Sequence, residues 1–101
     1  MQDRQINLVF KALAHPERRR ILDSLRERPD QSLFEICTWS VATKGKVLSR
    51  QTVSQHLDML ERAGLIQVTW KGRTKMHSFV VDPLRDAVAI AVSPYLRRKW
   101  K

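Results

Sequence analysis

Ile6, Val9, Phe10 and Leu13 recur at the i, i+3, i+4, i+7 spacing that gathers side chains on one face of an α-helix. A first amphipathic helix is therefore predicted, with Arg4 and Lys11 turned outward and an end near Ala14. His15-Pro16 reads as a restart, because proline suits the first helical position, and Ile21, Leu22 and Leu25 form the stripe of a second helix. Arg26 to Asp30, with Pro29, closes it, and Ser32-Leu33 adds one short strand. Phe34, Ile36 and Cys37 mark the apolar side of a short third helix. From Ser40 to Val47 the periodicity lapses, and Lys44-Gly45-Lys46 reads as a basic loop.

Ser49 is a good N-cap for a fourth helix running to about Ala63, with Gly64 as its stop. Val53, Leu57 and Leu60 stack on one face of it, with Gln51, Ser54, Gln55, Asp58 and Arg62 opposite. Ile66, Val68 and Trp70 then alternate, Lys71-Gly72 makes a turn, and Met76 to Val81 resumes an extended pattern, which together predict a β-hairpin. Asp82-Pro83 ends it. Leu84, Ala87, Val88 and Ala91 return to helical spacing, and Ser93-Pro94 kinks that last helix ahead of Tyr95, Leu96, Trp100 and a basic tail. No repeat, low-complexity tract or linker divides the chain, so one domain over residues 1–101 is expected, mainly α with a small β-hairpin.

Charge changes the picture most. The chain of 101 residues carries 19 Lys+Arg against 10 Asp+Glu, a formal net charge of +9, and such an excess attracts polyanions. It is unevenly placed: residues 1–35 hold seven basic and six acidic side chains, residues 36–81 seven and two, and residues 82–101 five and two. The polyanion-facing part is thus the middle of the chain.

The order of three helices, a capped helix with a polar face and a basic hairpin is that of a winged helix-turn-helix. An α-helix fits the DNA major groove with its N-terminal residues nearest the base edges. Ser49, Arg50, Gln51, Thr52, Ser54, Gln55 and His56 supply groups for bases or phosphates at that end, where the helix dipole also favours phosphate. Lys71, Arg73 and Lys75 give the hairpin a purely basic tip that can reach the phosphates or the minor groove beside the helix. Double-stranded DNA is the expected partner.

Other chemistry finds little support. The longest aliphatic run, Ala87 to Val92, is six residues, against about 20 for a bilayer span, so no membrane partner is expected. No secretory leader is visible. The single cysteine, Cys37, fits a reducing compartment and a cytoplasmic protein. No Ser-His-Asp or Cys-His set, no glycine-rich phosphate loop among three glycines and no paired acids suggest an enzyme. His15 reads as a helix-start residue, His77 as packing, and His56 as either helix support or a DNA contact. In Arg18-Arg19-Arg20 a structural role falls to Arg18 and solvation to its neighbours. Trp39 and Trp100 are read as core or interface residues.

Phe10-Lys11-Ala12-Leu13-Ala14-His15-Pro16 with Arg18, Ile21 and Leu22, then Leu48 to Leu57 with its Thr52-Val53-Ser54-Gln55-His56-Leu57 core, then Leu60-Glu61-Arg62-Ala63-Gly64-Leu65-Ile66 resemble the ArsR/SmtB family of bacterial transcriptional repressors, over roughly residues 4 to 92. The tail, with Pro83-Leu84, Pro94-Tyr95 and Trp100, is similar to the family's metal-independent branch. The resemblance implies a homodimeric repressor on an inverted-repeat operator, joined by its first and last helices, with Ile6, Val9, Phe10, Leu84, Val88, Ala91 and Tyr95 at the dimer interface.

Metal-sensing members carry Glu-Leu-Cys-x-Cys on the third helix, where this chain has Glu35-Ile36-Cys37-Thr38-Trp39. Their second site uses Asp and His on the last helix, where residues 84–101 hold Asp86 and no histidine. Neither site can be completed, so no metal or cofactor is expected, and no effector is assigned. The connection from Ile36 to Leu48 is longer than the family's, giving room for a small-molecule contact or an extra phosphate contact by Lys44 and Lys46. Two alternatives stand beside DNA repression: a winged-helix module that binds protein, and a repressor switched by the Cys37 thiol.

Overall fold

A computed structural model of the chain describes residues 1–44 and 49–97, those of 40–44 by backbone alone. The elements run α1 (Asp3–Leu13), α2 (Pro16–Glu27), β1 (Gln31–Ser32), α3 (Leu33–Lys44), α4 (Arg50–Arg62), β2 (Ile66–Lys71), β3 (Thr74–Phe79), α5 (Asp82–Ala91) and α6 (Ser93–Leu96). The strands form an antiparallel sheet in the order β1-β3-β2, with Gln31 opposite His77 and Ile66 opposite Phe79.

Local chemistry sets the boundaries. His15 caps α2, its Nδ1 accepting the Glu17 amide at 3.2 Å, and Pro16 follows where its missing N–H costs nothing. Ser49 caps α4 in the same way, its Oγ accepting the Thr52 amide at 3.0 Å. Gly64, at φ +78°, ends α4, with its amide donating to the Glu61 carbonyl and that of Leu65 to the Leu60 carbonyl, a left-handed stop that glycine adopts without a Cβ penalty. The hairpin loop is Gly72-Arg73 between the paired Lys71 and Thr74, and Gly72 takes the positive φ of +62° that a two-residue loop demands.

The predicted basic loop from Ser40 to Val47 is corrected in its first half: α3 continues to Lys44. Its residues are apolar on several sides at once, so a lapse in amphipathic period there does not break the helix. The short strand lies one residue earlier than Ser32-Leu33, because Ser32 is the helix cap. Its Oγ accepts the Glu35 amide at 3.2 Å while Glu35 Oε1 accepts the Ser32 amide at 2.9 Å, a reciprocal capping box.

Ile21, Leu25, Ile36, Val53, Leu57, Leu60, Leu65 and Ile66 make the core where α2, α3, α4 and the sheet meet, and Val9 and Ala12 bring α1 onto it. α5 packs on α1, whereas α6 packs on α5. The radius of gyration is 15.2 Å, against about 13 Å for a compact chain of this size. The hairpin tip is exposed, whereas Ala87 of α5 is buried in the core.

Candidate nucleic-acid interface

Burying Val53, Leu57 and Leu60 fixes the rotation of α4 and thereby turns Arg50, Gln51, Ser54 and Gln55 into solvent. Ser49 is exposed at the cap. Thr52 is half-buried, with its Oγ1 accepting the Ser49 hydroxyl at 2.8 Å. Across a cleft of about 340 Å³ from Ser54, Gln55, Asp58 and Glu61 lies the hairpin, which contributes Lys75 and His77 to the lining. Lys71, Arg73 and Lys75 are all exposed, and no acidic side chain occurs between residues 62 and 81. A polar helix end and an acid-free ribbon therefore lie side by side. Asp58 and Glu61 sit toward the far end of α4, and Asp58 pairs with Arg62 at 3.5 Å.

His56 has a structural setting. Its ring lies 4.5 Å from that of His15, and its Nδ1 is 3.5 Å from Arg18 Nη1. Burial, then the neighbouring His15 and Arg18, push its pKa down, which keeps it neutral. Arg18 also donates to the carbonyls of Ala12 at 2.7 Å and Lys11 at 3.0 Å, so this cluster fastens the end of α1 to the flank of α4. Arg19 belongs to the same arrangement, donating to the Leu13 carbonyl at 2.6 Å, and Arg20 pairs with Glu17. Solvation alone, expected for these two arginines, understates them: the last carbonyls of a helix lack intrahelical donors, and Arg19 supplies one.

His77 is buried, its Nδ1–H donating to the Gln31 carbonyl at 2.9 Å, and burial pushes its pKa down. Cys37 is half-buried on α3, and burial raises its thiol pKa while nearby Arg50 opposes the shift. A thiol held protonated is a poor nucleophile, so the environment disfavours the thiol-switch alternative. Among the described residues no three His, Cys, Asp or Glu side chains converge as a metal set, and no helix is long and apolar enough to cross a membrane.

The residues expected at a dimer interface divide. Val9 is 0% and Ile6 7% exposed, covered by their own chain, so their stripe faces the core and not a partner. Phe10, Leu84, Val88 and Ala91 are half-buried, and Tyr95 is 80% exposed. Ile90 and Leu96, outside the predicted set, are exposed beside them. Helical periodicity identifies a face that wants cover without saying which chain covers it. The side chain of Lys44, with Lys46 and Trp100, lies outside the described residues.

No family model matches the chain. It is 36% identical over 78 residues to the HTH-type transcriptional regulator YuzN of Bacillus subtilis, spanning 77% of this chain and 85% of that protein. The crystal structure of the ArsR family transcriptional regulator RHA00566 superposes with a TM-score of 0.76 at 25% identity, covering 95% of this chain and 91% of that one. At 23% identity the fold is also that of the homodimeric winged helix-turn-helix DNA-binding domain of Mb0332 from Mycobacterium bovis, with a TM-score of 0.67 over 100% of this chain and 94% of that one. A capped helix beside a basic wing, in a chain that shares over a third of its aligned residues with a helix-turn-helix regulator and its architecture with ArsR proteins, places this protein in the ArsR family of winged helix-turn-helix transcriptional regulators.

Proposed function

We infer that this regulator is a cytoplasmic homodimeric repressor, one winged-helix domain per chain, that reads an inverted-repeat operator through α4. The observation that carries the reading is that Ser54 and Gln55, on the exposed polar face of α4, lie across one cleft from a hairpin bearing only positive charge. Gln51, Ser54 and Gln55 reach base edges, Arg50 and the Ser49 cap meet phosphates, and Lys71, Arg73 and Lys75 hold the flanking backbone. His56 supports α4 from behind. Phe10, Leu84, Val88, Ala91 and Tyr95, with Ile90 and Leu96, join two copies so that the two α4 helices enter successive major grooves.

Titrating the full chain against the duplex upstream of its own coding sequence, at two salt concentrations, tests this. Binding should fall steeply with salt, because each phosphate contact releases condensed counterions. A folded dimer that ignores this duplex at low salt would instead favour the protein-binding reading of the same fold. No observation on Cys37 or on a metal site favours a second regulatory reading.

A further inference from the structure

Trp70 is the one large aromatic on the hairpin that the core does not use. It is 66% exposed at the outer end of β2, directly across the strand pair from Lys75. Successive strand residues alternate faces, so Trp70 and Lys75 share the face that carries Ile66 with Phe79 and Val68 with His77 further in. Lys75 and His77 of that face line the cleft opposite Ser54, Gln55, Asp58 and Glu61 of α4. Trp70 is not itself in the cleft lining; it stands exposed on that face, nearer the ribbon's tip. Its charged neighbours on the ribbon, Lys71, Arg73 and Lys75, are all positive and exposed.

An exposed indole among cations suits a polyanion with apolar faces between its charges, which is the chemistry of a nucleic-acid groove. We propose that Trp70 is a DNA-contacting residue of the wing, pressed into the minor groove beside the α4 site while Lys71, Arg73 and Lys75 take the bordering phosphates. Apolar wedges are a recurrent minor-groove device. The indole N–H is matched to the acceptors that A·T pairs present there, and the guanine amino group obstructs it. Trp70 thus adds a preference for A·T pairs in the flank to the sequence read by α4. The proposal rests on the DNA-binding reading above.

The test measures affinity of the full-length wild type, Trp70→Ala and Trp70→Phe for a duplex recovered by selection from a random pool, and for the same duplex with flanking G·C pairs introduced or replaced by inosine·C. Trp70→Ala should lose about tenfold with an unchanged salt slope, because no charge is removed, and Trp70→Phe, which keeps the apolar wedge without the N–H, should recover only part of the loss. Flanking G·C should weaken the wild type and inosine should restore it, with neither change felt by Trp70→Ala. Equal affinities for wild type and Trp70→Ala would overturn the proposal and leave the indole to a protein surface. So would an alanine variant as sensitive to inosine as the wild type. Failure of the wild type to select any duplex would instead strike the DNA-binding reading itself.

Discussion

At the scale of single residues, the interface separates attraction from discrimination. Arg73 stands exposed at the hairpin tip and Gln55 on the polar face of α4, and their roles predict different losses. Arg73→Ala should weaken operator and random duplex alike and lower the salt slope by about 1, whereas Gln55→Ala should cost about 1–3 kcal/mol at one base position and leave the slope unchanged. Binding isotherms on base-substituted duplexes decide it, and an equal loss on every sequence for Gln55→Ala would remove its readout role. Two imidazoles add a pH dependence to stability. Burial lowers the pKa of His77 and of His56 from the ordinary 6.5, so below that value the unfolded chain binds protons that the folded chain refuses. Stability should therefore rise with pH through the window just below 6.5 and level off above it. Denaturant midpoints taken across that window should show the slope, and His77→Asn should reduce it. A midpoint that falls as pH rises would contradict the assignment.

At the scale of elements, the caps decide where α4 begins and ends. Ser49→Ala removes the acceptor of the Thr52 amide and should cost about 1 kcal/mol, which thermal melting reads as a fall of about 4–8 °C. Gly64→Ala combines a φ of +78° with a Cβ only 3.3 Å from Pro83 Cγ, so it strains the backbone and presses on the start of α5 together, and it should destabilise more than Ser49→Ala. The same caps made α2 and α4 legible in the sequence, since Pro16, Ser49 and Gly64 each have one strong positional meaning. α3 was harder. Apolar residues on several sides give no single period, and its Ser32-to-Glu35 capping box was open to reading but hidden under a strand assignment. The hairpin was legible as a pattern, yet alternation assigns a face and not a depth. Val68 and Trp70 therefore look alike in sequence although the core ends between them. Arg19 was illegible for another reason: its partner is a main-chain carbonyl of the preceding helix, and no residue type marks that.

At the scale of the whole molecule, the first 35 residues are near neutral, and the excess charge of the middle segment belongs to Lys71, Arg73 and Lys75 of the wing and to Lys44 and Lys46, since α4 balances Arg50 and Arg62 against Asp58 and Glu61. On α5 and α6 the side chains of Ile90, Tyr95 and Leu96 are exposed, and the proposed second copy would cover them. Tyr95→Asp should therefore weaken self-association, measured by sedimentation, and with it operator affinity, while leaving the fold of each chain intact. The proposed dimer presents two α4 helices to one duplex. Selection of sites from a random duplex pool by the full chain tests it most directly. The recovered site should be an inverted repeat with half-site centres about one helical turn apart, or a multiple of it, bound by two chains. A recovered pool with no shared sequence, or a single unpaired half-site bound by one chain, would contradict it.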